Sequence, residues 1–164
     1  MARARSSSEP AQILEFAIQL ARTLADSKCT DVVLLDVRGR RPETDYIIIG
    51  SGTSQRQMRS TAQECEDMGK AQDNAPYRNS ADQGTTWVVV DFVETVVHLF
   101  EPEQRLYYDL ELLYADSLKV DWTRGDSVDS RAARAALRAK KAVVNVDAPS
   151  TETPNEFIDE FAAD

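Results

Sequence analysis

Histidine and cysteine are both scarce in this sequence of 164 residues. It contains one histidine and two cysteines, Cys29 and Cys65, which are too few and too far apart for a CxxC metal site or a disulfide framework. We therefore expect no metal and no cofactor. The two cysteines are expected to be core thiols in a reducing compartment.

Positive charge is in deficit. The chain carries 19 Lys and Arg against 28 Asp and Glu, which leaves a net charge of -9. Clustered Lys and Arg provide most of the affinity for nucleic-acid phosphates, so this balance argues against a broad nucleic-acid surface. It favours a basic protein as the partner, with little direct binding to nucleic acid.

Long apolar runs are missing as well. No stretch approaches the roughly twenty apolar residues that span a bilayer, and the first ten residues lack the apolar core of a secretory signal. The sequence therefore predicts a cytoplasmic protein with no membrane segment. Residues 1–9 are expected to form a flexible N-terminus.

The residues that are present indicate one α+β domain over residues 10–116. Apolar side chains recur every three or four positions from Pro10 to Lys28, which predicts a helix with one apolar face. Two short apolar strands follow, at 31–37 and 46–49. A second helix is expected after Ser54, which can cap it together with Gln57.

The rest of this domain is predicted to hold a hairpin and a last helix. Strands are expected at Thr86–Asp91 and Glu94–Phe100, joined by a tight turn. Pro102 suits the first turn of a helix because its missing amide proton does no harm there. The core side of that helix is expected to carry Leu106, Leu110 and Leu113.

The sequence changes character at the end of this domain. Residues 117–164 are first basic and then acidic, and they offer little apolar surface to bury. We expect a charged, largely disordered extension, in which residues 128–142 could form a helix because alanine and arginine favour one.

The string GSGTS at 50–54 follows a strand and precedes a helix, which is the setting of an anion site. Its spacing matches neither of the common phosphate-binding glycine motifs. No carboxylate follows until Glu64, so the turn lacks the paired acids that would hold magnesium against a triphosphate. We interpret the glycines as serving the turn and Ser54 as serving the helix cap.

The hairpin at 86–100 places unlike residues on its two faces. If Asp91 pairs with Glu94, one face is aliphatic and lies on the helices, whereas the other carries an indole, an imidazole and two acids. The register that follows pairs Trp87 with His98 and Val89 with Val96. A mixed aromatic and acidic face suits protein recognition. Valine at 93 resists a positive φ, so a wider loop would shift this register.

His98 is a weak candidate for catalysis. No nucleophilic serine or cysteine is placed with it, and one histidine cannot form a ligand set. A histidine beside a tryptophan is more often a packed, hydrogen-bonded ring. We interpret His98 as a contact residue.

Six ordered motifs together resemble one known family. They are LDVRG (35–39), TDY (44–46), GTSxRQ (52–57), WVVVD (87–91), VVHLF (96–100) and PExRxYYxLE (102–111). In this order and spacing they are similar to the bacterial ribosomal silencing factors, the RsfS or Iojap family, over residues 11–116. Val93, Asn79, Ser80 and Tyr114 depart from the residues that are common in that family.

The resemblance implies a mixed β-sheet with helices packed on one face, similar to nucleotidyltransferases but without their catalytic carboxylates. It also implies a function without enzymatic activity. Members bind the large ribosomal subunit through its fourteenth protein at the intersubunit face, block association with the small subunit and repress translation when nutrients are limiting.

The partner-binding surface is expected to use the hairpin and its surroundings. Its anchors would be aromatic, with charged residues around them, and the chain would be a monomer or a weak homodimer. The candidate residues are Asp45, Tyr46, Trp87, Val89, Asp91, Glu94, His98, Phe100, Arg105 and Tyr108. Two alternatives stay open: a divergent nucleotide-binding protein or nucleotidyltransferase that uses GSGTS with Asp36 and Asp91, and a dimerisation module that uses the aromatic face.

Overall fold

The computed structural model describes residues 4–81 and 86–124. The helix expected at 128–142 and most of the extension expected at 117–164 lie outside these residues. Within the described part, the chain forms the following elements in order: α1 (Pro10–Asp26), β1 (Thr30–Asp36), β2 (Tyr46–Ser51), α2 (Gln55–Ala71), β3 (Arg78–Asn79), β4 (Trp87–Asp91), β5 (Thr95–Phe100), α3 (Pro102–Tyr108), α4 (Leu110–Leu113) and β6 (Leu118–Val120).

The described strands form one mixed sheet, in the order β3-β4-β5-β2-β1-β6. The central strands β2 and β5 are parallel, whereas β4 and β5 form an antiparallel hairpin and β1 is antiparallel to both β2 and β6. The mixed α+β sheet that the sequence predicts is confirmed.

The two long helices cover one face of this sheet. Leu20 and Leu24 of α1 and Met58 of α2 are buried against alternate residues of the central strands, such as Ile48 and Val97. The aliphatic face expected of the hairpin is confirmed here, because Val88, Val90 and Leu99 belong to this same cluster. Burial of so many aliphatic side chains makes this face the main source of stability.

The opposite face carries a smaller apolar cluster. Ile47, Ile49 and Phe100 of the central strands pack there with Leu110 of α4. Trp87 and Tyr114 lie against this cluster but are only partly buried. The second face is therefore covered less completely than the first.

The hairpin register differs from the expected one by two residues. Asp91 pairs with Val96, so Trp87 lies opposite Phe100 and Val89 opposite His98. Val93 takes a φ of 76° in the loop, and the Phe92 amide donates to the Thr95 carbonyl at 2.9 Å. The tight turn therefore encloses Val93 and Glu94 and lies one residue later than the expected turn at Phe92–Val93. A shift of two leaves each side chain on its expected face, because strand side chains alternate.

The last helix is broken. Asp109 adopts a left-handed conformation with φ of 43°, which separates α3 from α4. Of the three leucines expected to face the core, only Leu110 is buried, whereas Leu106 is 82% exposed and Leu113 is 57% exposed. The predicted core side of this helix is thus wrong for Leu106 and Leu113, because the break turns them away from the sheet.

The compact unit extends to Thr123, beyond the expected boundary at 116. β6 pairs with β1, the Trp122 indole donates to the Val32 carbonyl at 3.1 Å, and the Arg22 guanidinium donates to the Trp122 carbonyl at 2.9 Å. The start of the predicted extension therefore belongs to the folded domain. The boundary prediction failed because β6 has only three residues, too few to show an alternating strand pattern.

Candidate functional site

Aromatic rings meet on the less covered face of the sheet. The Trp87 ring lies 4.7 Å from Tyr108 and stacks at 4.9 Å on Phe100, and Tyr107 contacts Tyr108 edge-on at 5.1 Å. His98 completes the group, with its ring centroid 5.8 Å from that of Trp87. We call Trp87, His98, Tyr107 and Tyr108 the aromatic face. Rigid rings provide large contact area at a small entropic cost, which suits a binding surface.

One hydrogen bond fixes the chemical state of the histidine. The Trp87 Nε1–H donates to His98 Nδ1 at 3.1 Å, so Nδ1 is an acceptor and the proton of the neutral ring lies on Nε2. Burial lowers the pKa of His98 to about 4, although the carboxylate of Asp91 opposes this shift. The ring is therefore neutral at pH 7 and holds the indole in place.

A small cavity lies beside the aromatic face. Its volume is about 380 Å³, and its apolar walls include Ile47, Val96 and Leu113. Asp91 and His98 line the same cavity, together with Arg41, Glu43, Thr44 and Tyr114. The aromatic face is thus continuous with a pocket that carries acidic groups.

The structure places five of the predicted partner-binding residues at or near this surface. Tyr108 is exposed, and four others are partly exposed: Trp87, Val89, Asp91 and His98. They come together because β4 and β5 are paired and α3 follows β5 directly.

Three other predicted residues do not reach the aromatic face from solvent. Phe100 is 0% exposed and lies beneath Trp87, so it supports the indole and is not a direct contact. Tyr46 is buried on the opposite face among the core residues of α1 and α2. Glu94 is also buried, and its carboxylate accepts a hydrogen bond from the Ser6 amide. These three residues therefore offer no exposed side chain on this face, and their role as partner contacts stays a prediction.

Arg105 has a structural role in this fold. Its guanidinium donates to Ser51 Oγ at 2.8 Å and pairs with the carboxylate of Glu111, and its side chain is only 11% exposed. These bonds tie α3 to the end of β2. They leave little of the Arg105 guanidinium for a partner, in contrast to its predicted role.

Asp45 is engaged by the N-terminal residues. The Arg5 guanidinium donates to the Asp45 carboxylate at 2.9 Å and to the Pro42 carbonyl at 3.3 Å. Together with the bond between Ser6 and Glu94, these contacts hold the start of the chain against the domain. The flexible N-terminus expected at residues 1–9 stays a prediction, although Arg5 and Ser6 make these contacts.

Sequence reasoning missed the exposed apolar residues of the two short helices. Leu106, Tyr107, Leu112 and Leu113 are all exposed there. Their helical spacing is also typical of a core side, so the pattern alone could not separate the two roles. The left-handed Asp109 decides between them, and no residue type in the string indicates it.

Several polar groups of the GSGTS turn form hydrogen bonds with neighbouring residues of the protein. Ser54 Oγ accepts from the Gln57 amide at 3.1 Å, which confirms the predicted helix cap. The Gly52 amide donates to the Phe100 carbonyl, and Ser51 Oγ accepts from Arg105. Gly52 is required for space, since a Cβ there would collide with Met58. The amides of Gly52, Thr53 and Gln57 are therefore engaged in hydrogen bonds within the protein itself.

Neither a metal-ion site nor a membrane-spanning helix is found in the described residues. Residues 4–81 and 86–124 contain no group of three His, Cys, Asp or Glu side chains that could hold a metal ion. None of the helices in these ranges is both long and apolar enough to cross a membrane. Burial raises the pKa of the Cys29 thiol and of the Cys65 thiol, so neither is activated as a nucleophile.

A family model matches most of this chain. The model described as "Ribosomal silencing factor during starvation" matches residues 10–151. The chain therefore belongs to the family of ribosomal silencing factors, which includes RsfS and Iojap proteins. The match also continues past residue 116, where the sequence resemblance was expected to end.

Individual relatives carry the same names. The chain is 39% identical over 100 residues to the ribosomal silencing factor RsfS of Haemophilus influenzae, covering 58% of this chain and 94% of that one. It is 30% identical over 113 residues to the chloroplastic protein Iojap of Zea mays, covering 69% of this chain and only 49% of that protein. It is 33% identical over 98 residues to the mouse protein named "Mitochondrial assembly of ribosomal large subunit protein 1", covering 58% of this chain and 43% of that one.

A solved structure supports the fold. The crystal structure of a Chromobacterium violaceum protein superposes with a TM-score of 0.58 at 27% identity, and the match covers 74% of this chain and 98% of that one.

Proposed function

We propose that this chain binds the large ribosomal subunit through its fourteenth protein at the intersubunit face. Bound there, it blocks association with the small subunit and represses translation under nutrient limitation. It acts in the cytoplasm and carries out no catalysis. The names of the relatives support a ribosomal partner, and the name of the mouse relative supports the large subunit.

The observation that carries this proposal is the aromatic face itself. The Trp87 ring stacks on the buried Phe100, contacts the tilted Tyr108 ring and is held by its hydrogen bond to His98. Such preorganised rings lose little conformational freedom on binding. Tryptophan and tyrosine are also enriched among the residues that dominate interface energies.

Charge supports a ribosomal protein over ribosomal RNA. The net charge of -9 opposes contact with phosphates, whereas ribosomal proteins are generally basic. The cavity beside the aromatic face offers a partner side chain both apolar walls and charged groups, since Asp91 and Glu43 line it together with Arg41.

The proposed mechanism requires only that the protein occupy the contact surface between the ribosomal subunits. A protein seated on a surface that the two subunits share prevents them from joining, and no bond has to be made or broken. This agrees with a GSGTS turn in which the amides of Gly52, Thr53 and Gln57 are engaged internally, and with thiols that burial keeps protonated.

Co-sedimentation with purified large subunits tests the docking surface. Truncation of a central aromatic anchor costs about 2 kcal/mol or more, so Trp87→Ala should weaken binding by roughly 30-fold or more. His98→Ala should weaken it less, because the indole remains but loses its hydrogen-bond acceptor.

Leu118→Ala is the matched control. Leu118 is an exposed apolar residue on β6, at the edge of the sheet farthest from β4, and its loss should leave binding unchanged. Circular dichroism confirms that each variant folds. Undiminished binding by both Trp87→Ala and His98→Ala would remove the aromatic face from the proposal. Subunit joining followed on sucrose gradients then tests whether bound protein blocks the small subunit.

A further inference from the structure

A cleft on the opposite side of the sheet has no role in the function proposed above. It lies between the start of α1 and the chain that follows α2, and its volume is about 460 Å³. That size is in the range of small-molecule sites. Ile13 and Phe16 of α1 provide apolar wall, and Gln72 and Asn74 provide amide groups.

Two buried polar residues at the start of β5 line this cleft. Thr95 is 1% exposed, and its hydroxyl has no hydrogen-bond partner among the described residues. A buried hydroxyl without a partner is costly, and proteins normally satisfy such groups. An unsatisfied hydroxyl lining a cleft of this size indicates that something binds there.

The buried carboxylate of Glu94 favours a positively charged ligand. It is 5% exposed, and its Oε1 accepts from the Ser6 amide, whereas no hydrogen bond within the described residues reaches its Oε2. A buried carboxylate that meets only one neutral donor is poorly compensated. Glu15 adds a second carboxylate to the lining, and no Lys or Arg among the described residues lines the cleft.

An anion is a poor fit, although the N-terminus of α1 is close by. The first turn of α1 is already capped, since the Gln12 amide donates to the Glu9 carbonyl and the Gln12 side chain accepts from the Glu9 amide. An anion would meet the buried charge of Glu94 without finding these donors.

We propose that this cleft is a binding site for a small organic cation with a planar donor group, such as a guanidinium, on a short hydrocarbon stem. The head group donates to Glu94 Oε2 and to Thr95 Oγ, and the stem lies along Ile13 and Phe16. The Thr95 hydroxyl thereby gains the hydrogen-bond partner that it lacks among the described residues, and the Glu94 carboxylate gains an opposite charge.

The site is independent of ribosome docking. Thr95 lies on the face of β5 that α1 and α2 cover, because its neighbours in alternation are Val97 and Leu99. Trp87 and His98 lie on the other face. A ligand in the cleft therefore does not compete directly with a partner on the aromatic face.

Three probes of similar length test the proposal by NMR titration of the full chain: n-butylguanidinium, its neutral analogue n-butylurea, and butyrate. We expect saturable shifts of the Gln12, Asn74 and Thr95 amides with n-butylguanidinium, and at least tenfold weaker binding of the other two. Equal binding of n-butylurea, tighter binding of butyrate, or no saturable shifts with n-butylguanidinium would each overturn the proposal.

Two substitutions locate the contacts. Glu94→Gln should weaken n-butylguanidinium binding at least tenfold. Thr95→Val keeps the shape of the side chain, so it should weaken binding several-fold while raising the melting temperature of the unliganded protein, because it removes an unsatisfied hydroxyl. Trp87→Ala should bind the probe as wild type does. Unchanged binding in both Glu94→Gln and Thr95→Val would overturn the assignment.

Discussion

The two faces of the sheet are built from the same strands but do different work. On one face, α1 and α2 seal an aliphatic core that includes Leu20, Ile48 and Val97. On the other, the short helices α3 and α4 bury one leucine and leave aromatic rings and other leucines in contact with solvent. Stability is concentrated on the first face, which leaves the second face free to carry exposed groups for recognition.

The largest expected effect is a difference in the free energy of unfolding between leucine truncations on the two faces. Leu20→Ala removes a fully buried side chain from α1, and such truncations cost about 2–5 kcal/mol in the free energy of unfolding. Leu106→Ala changes the same residue type on the open helix α3 and should stay within about 0.5 kcal/mol of wild type. Urea denaturation of both variants checks this, and equal losses would contradict the difference between the faces.

A smaller effect is expected from pH on the aromatic face. The pKa of His98 is lowered from its usual 6.5 to about 4 by burial, so between these values the unfolded state binds more protons than the folded state. Stability is therefore fully present above pH 6.5 and declines as the pH falls toward 4, by up to about 3 kcal/mol for a shift of this size. Urea denaturation at several pH values measures the decline.

His98→Gln is the matched control for that measurement. Glutamine does not titrate, so the variant should lose less stability than wild type between pH 7 and pH 5. Identical profiles for the two proteins would show that His98 is not held neutral by the fold.

The smallest expected effect concerns the loop that joins strands β4 and β5 of the hairpin. Val93 has a φ of 76°, which is unfavourable for a β-branched residue. Val93→Gly relieves this strain but increases the entropy of the unfolded chain, so we expect a net stabilisation of up to about 1 kcal/mol. Thermal unfolding checks it, with Val89→Gly on the regular strand β4 as a control that should destabilise.

The sequence predicted the parts of the fold that follow from periodic patterns. The apolar face of α1 and the two faces of the hairpin repeat with a fixed period, and both are found. The cap at Ser54 follows from the local spacing of Ser54 and Gln57, and it is found as well. The hairpin register and the break at Asp109 depend on single residues with positive φ. The residue types at 93 and 109 were not enough to predict this conformation.

Part of the candidate site was also predicted from a periodic pattern, the alternation of side chains along a strand. Trp87 and His98 lie on the expected face because alternation along a strand is strict. Tyr46 and Glu94 do not, because Tyr46 belongs to the alternate face of β2 and Glu94 lies in the loop before β5 begins. The contacts of Arg5 and Arg105 join residues far apart in the chain, which no local pattern reports.

The outermost strands of the sheet have a consequence for how the protein behaves at high concentration. β3 contains two residues and β6 three, so each edge offers only a few backbone groups to another chain. Short edge strands hinder the edge-to-edge pairing that leads to aggregation. A protein that displays tyrosine, tryptophan and leucine side chains to solvent is thereby protected against self-association through its backbone, and its exposed rings remain available for a specific partner.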